Sequence, residues 1–422
     1  MSSLPPNAAH RPGVTAPRLD RDAMIQFLSD TVRRASVSGH EDRVSDTYVQ
    51  FFGDRGWEVE TQVLAGTEVA ESDTGRAEPR LGDRANVVGW YRRNRGRPTL
   101  VINGHVDVVP VHDEHRWTRA PFSGEIAEGH VHGRGSVDTK GGIAAALFAL
   151  DACDRAGVDF PFDIAVELVV AEETTGVGTR ASLERIPHRL GTIVLEPTDN
   201  AIVPLASGLL FFTVSLSGRA AHTSVPWFGV DVAPRLIRIY QALTALGEER
   251  ARTHTHPRIP LPSAVPLAIG TLQAGGWRAS VPAEAKLSGR VGVLPGEDLQ
   301  DVRDAVVACV REATAGDEYM AENPAEIHWD HEGLPSWQTA DEEPVVRHMM
   351  AGRERAGLPP RVEGITAGCD AGTLVAAGIP TVVFGPGHMR YAHSPDERIA
   401  VEDVAAAAAI LSAALLSWGE SA

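Results

Sequence analysis

The sequence predicts an α/β fold: a mostly parallel sheet with helices, interrupted by an inserted β-α-β-β-α-β (ferredoxin-like) domain. Three observations support this prediction. The 422 residues are too many for one compact core, so two domains are expected. Strand-like and helix-like runs alternate on both sides of a central stretch, as in an α/β sheet. Inside that stretch the order of the runs changes to that of a smaller, separate unit.

The first half of the chain supplies most of the predicted sheet. A helix is expected to begin after Asp20 and to end near Ser36–Gly39. Apolar runs then predict four strands, RANVVGWY, PTLVINGHVDVV, FDIAVELVVA and TIVLE. The run KGGIAAALFALDACD, between the second and third strands, is apolar enough for a helix packed on the sheet. The carboxyl ends of such strands are where functional residues collect.

The pattern of the runs changes near Ser207. LLFFTVSLSG, VPLAIGTLQ, EAKLSGRVGVL and AEIHWDH read as strands, and DVAPRLIRIYQALTALGEE and DLQDVRDAVVACVREAT read as helices. After them come a buried strand, GIPTVVFGPG, and a C-terminal packing helix. We therefore expect a split domain of residues 18–208 and 332–422, an inserted domain of residues 209–331, and a disordered tail of residues 1–17.

Composition excludes several classes of partner. The formal net charge of −17 and the pI of about 5.4 argue against nucleic acid or an anionic membrane as a partner. Three scattered cysteines are too few for a disulfide framework. The first residues contain no apolar segment of the signal-peptide type. These features predict a cytoplasmic protein with reduced thiols.

Acidic and histidine-bearing motifs follow the predicted strands. They are GHVDVVP, GRGSVDTKGG, AEETTG, LEPT and AHSPDE, which contain His105, Asp138, Glu173, Glu196 and His393. Taken singly, His105 could be a hydrogen-bonded strand end, Asp138 a helix cap, and a glutamate of AEETTG a turn cap facing water. However, the adjacent carboxylates Glu172 and Glu173 follow a buried strand, where they repel each other, and a cation resolves that conflict.

One site explains these motifs better than separate roles. Two divalent ions carry four positive charges, and the carboxylates of Asp138, Glu173 and Glu196 carry three negative charges. The remaining positive charge lowers the pKa of a bridging water and polarises the carbonyl group of a substrate. Imidazole and carboxylate ligands suit zinc, with cobalt or manganese as alternatives. Glu172, which is not needed as a ligand, is then free to act as general base. Asp107 shares a strand face with His105 and is expected to accept a hydrogen bond from its far nitrogen.

Together the motifs resemble the M20 metallopeptidase family, which includes acetylornithine deacetylase, succinyl-diaminopimelate desuccinylase, aminoacylase and carboxypeptidase G. The resemblance extends over the chain after about residue 20. It implies a di-metal catalytic domain with Glu172 as base and Asp107 as orienting residue. It also implies that Asp138 and a water bridge two ions, the first bound by His105 and Glu196 and the second by Glu173 and His393.

The inserted domain resembles the lid and dimerisation domain of the same family. SGRAAHTSVPWFGVD matches the segment whose histidine reaches a neighbouring active site and stabilises the tetrahedral intermediate. The resemblance therefore implies a homodimer and assigns that role to His222. The stretch LQAGGWRASVPAEAKLSGRVGVLPGED is most similar to acetylornithine deacetylase-like or formyl-aminopyrimidine deformylase-like proteins.

The departures from the family pattern concern the substrate. Ala279 stands where many relatives have asparagine, and Gly292 and Gly372 stand where relatives often have arginine. Arg290 lies two residues before Gly292 on the same strand face and is a candidate for contacting the same ligand. Since glycine cannot replace the bidentate contact of arginine with a carboxylate, recognition of ordinary N-acyl amino acids does not follow from the resemblance.

The expected activity is metal-dependent hydrolysis of a small linear amide, by deacylation, deformylation or exopeptidase action. One alternative is an enzyme of a specialised pathway that has the same metal site. Such an enzyme would act on a non-amino-acid amide or form an amide-like bond. A second alternative is a catalytically silent relative that serves as a binding protein. The presence of every expected ligand and of the base argues against the second alternative.

Overall fold

The computed structural model describes residues 17–64, 81–94, 96–183, 185–186, 188–330 and 333–421. Residues 1–16 of the predicted tail, and the two residues at the predicted boundary between 331 and 332, lie outside these ranges. The first helix begins where the sequence predicts, because the Asp20 side chain caps it by accepting a hydrogen bond from the backbone N–H of Ala23.

A nine-stranded sheet forms the larger part of the molecule. Its order is β1-β2-β6-β3-β7-β15-β8-β13, and β14 also pairs with β8. The central strands β6, β3, β7 and β15 run parallel, whereas β1, β2 and β13 pair antiparallel towards the edges. The strands are β1 Glu58–Val63, β2 Ala85–Tyr91, β3 Thr99–His105, β6 Asp163–Val169, β7 Arg189–Val194, β8 Ile202–Ala206, β13 Trp337–Gln338, β14 Val362–Ile365 and β15 Thr381–Val383. The predicted α/β class with a largely parallel sheet is confirmed.

Helices cover both faces of this sheet. They are α1 Arg21–Val32, α2 Asp42–Asp54, α3 Gly141–Arg155, α4 Val177–Ser182, α8 Pro344–Arg355, α9 Ala371–Ala376 and α10 Val401–Ser421. All seven residues of β3 are buried, which is typical of a central parallel strand. On one face Gly104 packs against Ile143 of α3, and on the other Asn103 donates a hydrogen bond to Thr179 of α4.

Helix α10 is long and apolar enough, by composition alone, to cross a membrane. In the fold it packs against α3 and α8, and residues such as Ile410, Leu411 and Trp418 belong to the main hydrophobic core. The structure thus gives this helix a place inside the protein, as the sequence predicts.

The inserted stretch follows the predicted order of elements, with one additional short helix, α7. Its elements are β9 Gly208–Ser217, α5 Ala233–Thr253, β10 Leu267–Ala274, β11 Glu284–Val293, α6 Leu299–Ala313, α7 Glu318–Glu322 and β12 Glu326–Trp329. The strands form a separate antiparallel sheet in the order β10-β11-β9-β12. A hydrophobic cluster of its own lies between this sheet and its helices.

A small three-stranded sheet that the sequence pattern does not reveal completes the fold. It joins β4 Glu125–Ala127, β5 His130–His132 and β16 Arg398–Ala400 in the order β16-β5-β4. Each strand has three residues, which is too short for an alternating pattern to be recognised. This sheet brings the segment after His393 next to the turn that carries Asp138.

Candidate metal centre

The five predicted ligands come from five loops at one edge of the large sheet. His105 ends β3, and Asp138 lies in a turn at 136–140 that leads into α3. The other three follow strands: Glu173 comes after β6, Glu196 after β7, and His393 after β15. Because the carboxyl ends of parallel strands meet at one edge, side chains far apart in sequence gather there.

Three of these side chains form a first group around His105. Its Nε2 atom lies 3.0 Å from Asp138 Oδ1 and 3.8 Å from Glu196 Oε1. One potential ligand atom from each of the three residues lies within 4.8 Å of the other two. All three residues are buried. The spacing is suitable for a single cation between them.

A second group uses the other oxygen of Asp138. His393 Nε2 lies 3.2 Å from Asp138 Oδ2 and 3.1 Å from Glu173 Oε2. The ligand atoms of these three residues also lie within 4.8 Å of one another. The two oxygens of Asp138 therefore face two different groups, which places this carboxylate between two adjacent candidate cation positions.

The carboxylates of the two groups lie close to one another, and each of them is buried or partly buried. Burial, together with the charge of Asp138, raises the pKa of Glu173 and raises the pKa of Glu196 well above its usual range. Burial and the charge of Glu196 raise the pKa of Glu172 in the same way. Such a cluster is costly to ionise without a positive charge nearby.

The pKa values of the two histidines are also raised, but in a histidine this shift favours the charged form. Hydrogen bonds to Asp138 and Glu173 raise the pKa of His393 to about 10. Burial alone would lower the pKa of His105, but the bond to Asp138 and the charges of Glu196 and Glu172 raise it well above the usual value. Burial disfavours ionisation of Asp138, yet the bonds from both histidines hold its pKa below the usual range.

The donor set fits two divalent cations. Each group offers one imidazole nitrogen and carboxylate oxygens, the ligand types that zinc prefers and that cobalt and manganese accept. A cation in each group would replace a histidine proton and relieve the repulsion among the carboxylates. His105 and Glu196 would hold one ion and Glu173 and His393 the other, with Asp138 contacting both.

Glu172 lies beside the two groups without belonging to either. Within the described ranges no group donates a hydrogen bond to its carboxylate. The residue before it, Ala171, has a left-handed backbone with φ of 65°, a conformation that is uncommon for a residue with a Cβ atom. The backbone N–H groups of Thr175 and Gly176 both bond to the Ala171 carbonyl and close this turn. The turn thus presents a free carboxylate next to the metal groups.

Asp107 has a different role from the one expected from sequence. The Nδ1 atom of His105 bonds at 2.9 Å to the backbone carbonyl of Asp107, whereas the carboxylate is 3.8 Å away. That carboxylate instead accepts hydrogen bonds from the backbone N–H groups of Glu172 and Glu173, at 3.2 and 3.3 Å. The prediction that the Asp107 side chain bonds to His105 was wrong, because the chain turns after β3 and directs this side chain towards the loop of Glu172 and Glu173.

His222 lies outside the metal cluster within one chain. It is exposed on the inserted segment, where it is bridged to Ser280, and no ion pair or hydrogen bond joins it to a predicted ligand among the described residues. The backbone N–H of Ser224 donates to His222 Nδ1 at 3.1 Å. In the neutral ring the proton therefore sits on Nε2, which has no partner in the described part of the chain and is available as a donor.

Arg290 lies on β11 of the inserted segment and contacts the loop that follows β14. Its guanidinium donates to the carbonyl oxygen of Thr366 at 2.9 Å, while its Nε atom is buried without a partner. No carboxylate in the described ranges forms an ion pair with it, and burial lowers the pKa of this arginine. Thr366 precedes the loop of Cys369, whose thiol pKa is raised by burial and by the charges of Glu196 and Glu172.

The two glycines that stand where relatives often have arginine differ in the space around them. A Cβ atom at Gly292 would come within 2.6 Å of the Val265 backbone, so this position has no room for a side chain. At Gly372 a Cβ atom would lie 3.5 Å from the Trp337 indole ring. This is an ordinary van der Waals distance, so the structure does not explain the glycine at this position. Among these positions, Arg290 provides the only guanidinium.

Two buried acids near the centre were not predicted as site residues. Asp370 accepts a hydrogen bond from Thr179 at 2.5 Å, and burial raises its pKa to about 7. Glu397 bonds to the backbone of Asp138. The sequence contains a signal for the second, because Glu397 belongs to the same AHSPDE motif as His393. The signal for Asp370 is weaker, since it stands alone before a short helix.

Comparison with known proteins identifies the class. Residues 101–417 match the model of peptidase family M20/M25/M40. The chain belongs to this family and is one of its metallohydrolases, which confirms the resemblance inferred from the motifs.

Individual relatives carry two different descriptions. The chain is 24% identical over 331 residues, 72% of its length and 76% of the relative's, to an N-formyl-4-amino-5-aminomethyl-2-methylpyrimidine deformylase of Halalkalibacterium halodurans. It is 29% identical over 391 residues, 89% of its length and 82% of the relative's, to a probable carboxypeptidase of Aspergillus terreus.

Solved structures share the fold. An M20 family metallo-carboxypeptidase from Sulfolobus solfataricus superposes with a TM-score of 0.72 at 18% identity, with 94% of this chain and 99% of that chain covered. A dinuclear metal-binding peptidase of the M20 family from Bacillus subtilis superposes with a TM-score of 0.64 at 16% identity, covering 95% and 99%. At these identities the similarity concerns the architecture.

Proposed function

We propose that this protein is a two-metal hydrolase of small linear amides in which Glu172 is the general base. The observation that carries the proposal is the position of Asp138, whose two oxygens face two separate groups of ligand atoms. Zinc fits the mixture of imidazole and carboxylate donors best, with cobalt and manganese as alternatives. Bound ions would lower the pKa of a water molecule and polarise the amide carbonyl.

The chain's own residues move the protons. The free Glu172 carboxylate takes a proton from the attacking water as its oxygen bonds to the carbonyl carbon. When the C–N bond breaks, Glu172 returns that proton to the leaving nitrogen, so the products are a carboxylic acid and an amine. The Nε2–H of His222 donates to the carbonyl oxygen while negative charge develops on it. Asp107 holds the Glu172–Glu173 backbone in place during this exchange.

The experiment that tests this function combines metal analysis with a substrate panel. We expect the purified, metal-supplemented protein to hold two divalent ions per chain and to hydrolyse members of a panel of formyl, acetyl and succinyl amides and dipeptides. A chelator should abolish hydrolysis, and added zinc, cobalt or manganese should restore it. Fewer than one tightly bound ion per chain, with no hydrolysis of any compound, would favour a silent binding protein instead.

Arg290 supports a narrower proposal about the substrate, which we place among amides that carry an anionic group. The Arg290 guanidinium is partly buried and pairs with no carboxylate in the described ranges. Such a cation is costly, and an anionic group of the substrate would supply the missing charge. Gly292 has no room for a side chain and Gly372 carries none, so Arg290 is the guanidinium available for this contact. This arrangement also favours a substrate other than an ordinary N-acyl amino acid.

Replacing Arg290 with methionine is expected to raise KM for anionic substrates about 10–100-fold, because a hydrogen bond to a charged group contributes roughly 1.5–3 kcal/mol. Thermal stability should not fall, since the change removes a partly buried charge that pairs with no carboxylate in the described part of the chain. Lys286→Met is the matched control, because Lys286 lies on the same face of β11 but is exposed. Equal KM values for Arg290→Met and the wild type would argue against this contact.

We propose a homodimer that forms through the inserted segment. Strand β10 is the edge of its sheet and is largely exposed, and an exposed edge strand readily pairs with another chain. Ile237 of α5 and Leu272 of β10 are exposed apolar side chains, as are Trp227 and Phe228 near His222. A second chain would also bring His222 to a metal centre. Sedimentation velocity tests this, and a fully active monomer would contradict it.

A further inference from the structure

The segment after His393 runs behind the turn that presents Asp138. Four residues after His393, the side chain of Glu397 is 0% exposed. Its backbone carbonyl accepts a hydrogen bond from the N–H of Gly133 at 2.8 Å. Strand β16 then continues antiparallel to β5. The Glu397 side chain is therefore fixed between the two strands and the metal centre.

The hydrogen-bond donors to the Glu397 carboxylate among the described residues all lie in the segment 134–138. Oε1 accepts from the backbone N–H groups of Val137 and Asp138, at 3.0 and 3.3 Å. Oε2 accepts from Arg134 Nη1 at 2.5 Å, and the Arg134 side chain is itself buried. One carboxylate thus binds the peptide groups on both sides of Val137 and neutralises a buried arginine.

We propose that Glu397 is a positioning residue that sets the orientation of the Asp138 carboxylate between the two metal positions. The inference rests on the metal centre proposed above. Hydrogen bonds to a charged acceptor are about twice as strong as neutral ones, and two of them restrain the backbone from which the shared ligand projects. Since His393 lies on the same loop as Glu397, one short segment supplies one ligand and orients another.

The test compares the affinity of metal-free wild-type and Glu397→Gln proteins for zinc and cobalt ions by titration calorimetry. Glutamine has the shape of glutamate but not its charge, and we expect affinity to fall about 10–100-fold, as for other groups that orient metal ligands. A wild type that binds no ions would refute the metal centre itself. A wild type that binds two ions, with unchanged affinity in the variant, would refute only the role of Glu397.

A second variant separates positioning from general stability. Glu397→Gln leaves the Arg134 charge buried without its partner, which destabilises a fold, so Arg134→Gln/Glu397→Gln removes both charges. We expect the double variant to have a thermal midpoint closer to the wild type than the single variant has, yet to retain the lowered metal affinity. Recovery of both stability and affinity would show that the pair is only structural.

The matched control is an arginine–glutamate pair in the inserted segment, of which the arginine is buried and the glutamate partly buried. Glu297 accepts hydrogen bonds from Arg250 and from the backbone N–H of Leu294. Glu297→Gln should lower thermal stability but leave the affinity for zinc and cobalt unchanged. A tenfold loss of affinity in this control would mean that destabilisation alone weakens metal binding, and it would overturn the assignment to Glu397.

Discussion

Glu172→Gln is expected to lower kcat about 10²–10⁴-fold while the protein still binds two ions at saturating metal. Glutamine cannot take a proton from water, and general base catalysis contributes rate factors of this size. The substitution should not remove a ligand, because the Glu172 carboxylate belongs to neither ligand group. Steady-state kinetics on the most active amide of the panel, together with metal analysis, would measure both effects.

The neighbouring residue is the natural control for this prediction. Glu173→Gln changes the same chemical group one position along the chain, but Glu173 belongs to the group with Asp138 and His393. It should weaken binding of one ion, and part of its activity should return at high metal concentration. If Glu172→Gln retains normal turnover, or regains it at high metal, the base must be another residue.

Asp138→Asn is expected to weaken the binding of both ions by more than about 100-fold, beyond the loss of a residue that only orients a ligand. An uncharged amide replaces the one carboxylate that both groups share, and only one of its two terminal atoms is an oxygen. Hydrolysis should become undetectable at metal concentrations that saturate the wild type. Calorimetric titration of zinc and metal analysis after dialysis would give the number of ions retained.

His393→Ala provides the contrast, since it removes a ligand from only one group. That variant should keep one ion, held by His105, Asp138 and Glu196, and lose the other. Two tightly bound ions in Asp138→Asn would show that Asp138 is not shared, and identical losses in the two variants would show that the ions bind as one unit.

The gathering of the metal-centre side chains could be predicted because each motif follows a strand. Parallel strands bring their carboxyl ends together regardless of sequence separation, so His105 and His393 are adjacent although 288 positions separate them. The α/β class follows from the same alternation of runs. The order of the motifs and strands was therefore sufficient to predict that these side chains lie at one edge of the sheet.

The sequence could not reveal the directions of individual side chains or the contacts between residues far apart in the chain. The carboxylate of Asp107 accepts hydrogen bonds from the backbone of Glu172 and Glu173 because the chain turns after β3. Hydrophobic periodicity predicts helices and strands but not a turn of this kind. Asp370 and Glu397 act on residues about 190 and 260 positions away, and neither lies at the end of a long apolar run. Contacts of this kind follow from how two loops pack, so a single sequence carries little signal for them.

The inserted segment divides the metal centre along the chain in an uneven way. His105, Asp138 and Glu196 all precede it, whereas His393 follows it. During synthesis the first ligand group is complete once Glu196 has left the ribosome, but the second must wait for nearly two hundred further residues. Strand β15, which lies between β7 and β8, is added in the same late stage. The second ligand group is therefore complete only when the last strands of the large sheet have also been made.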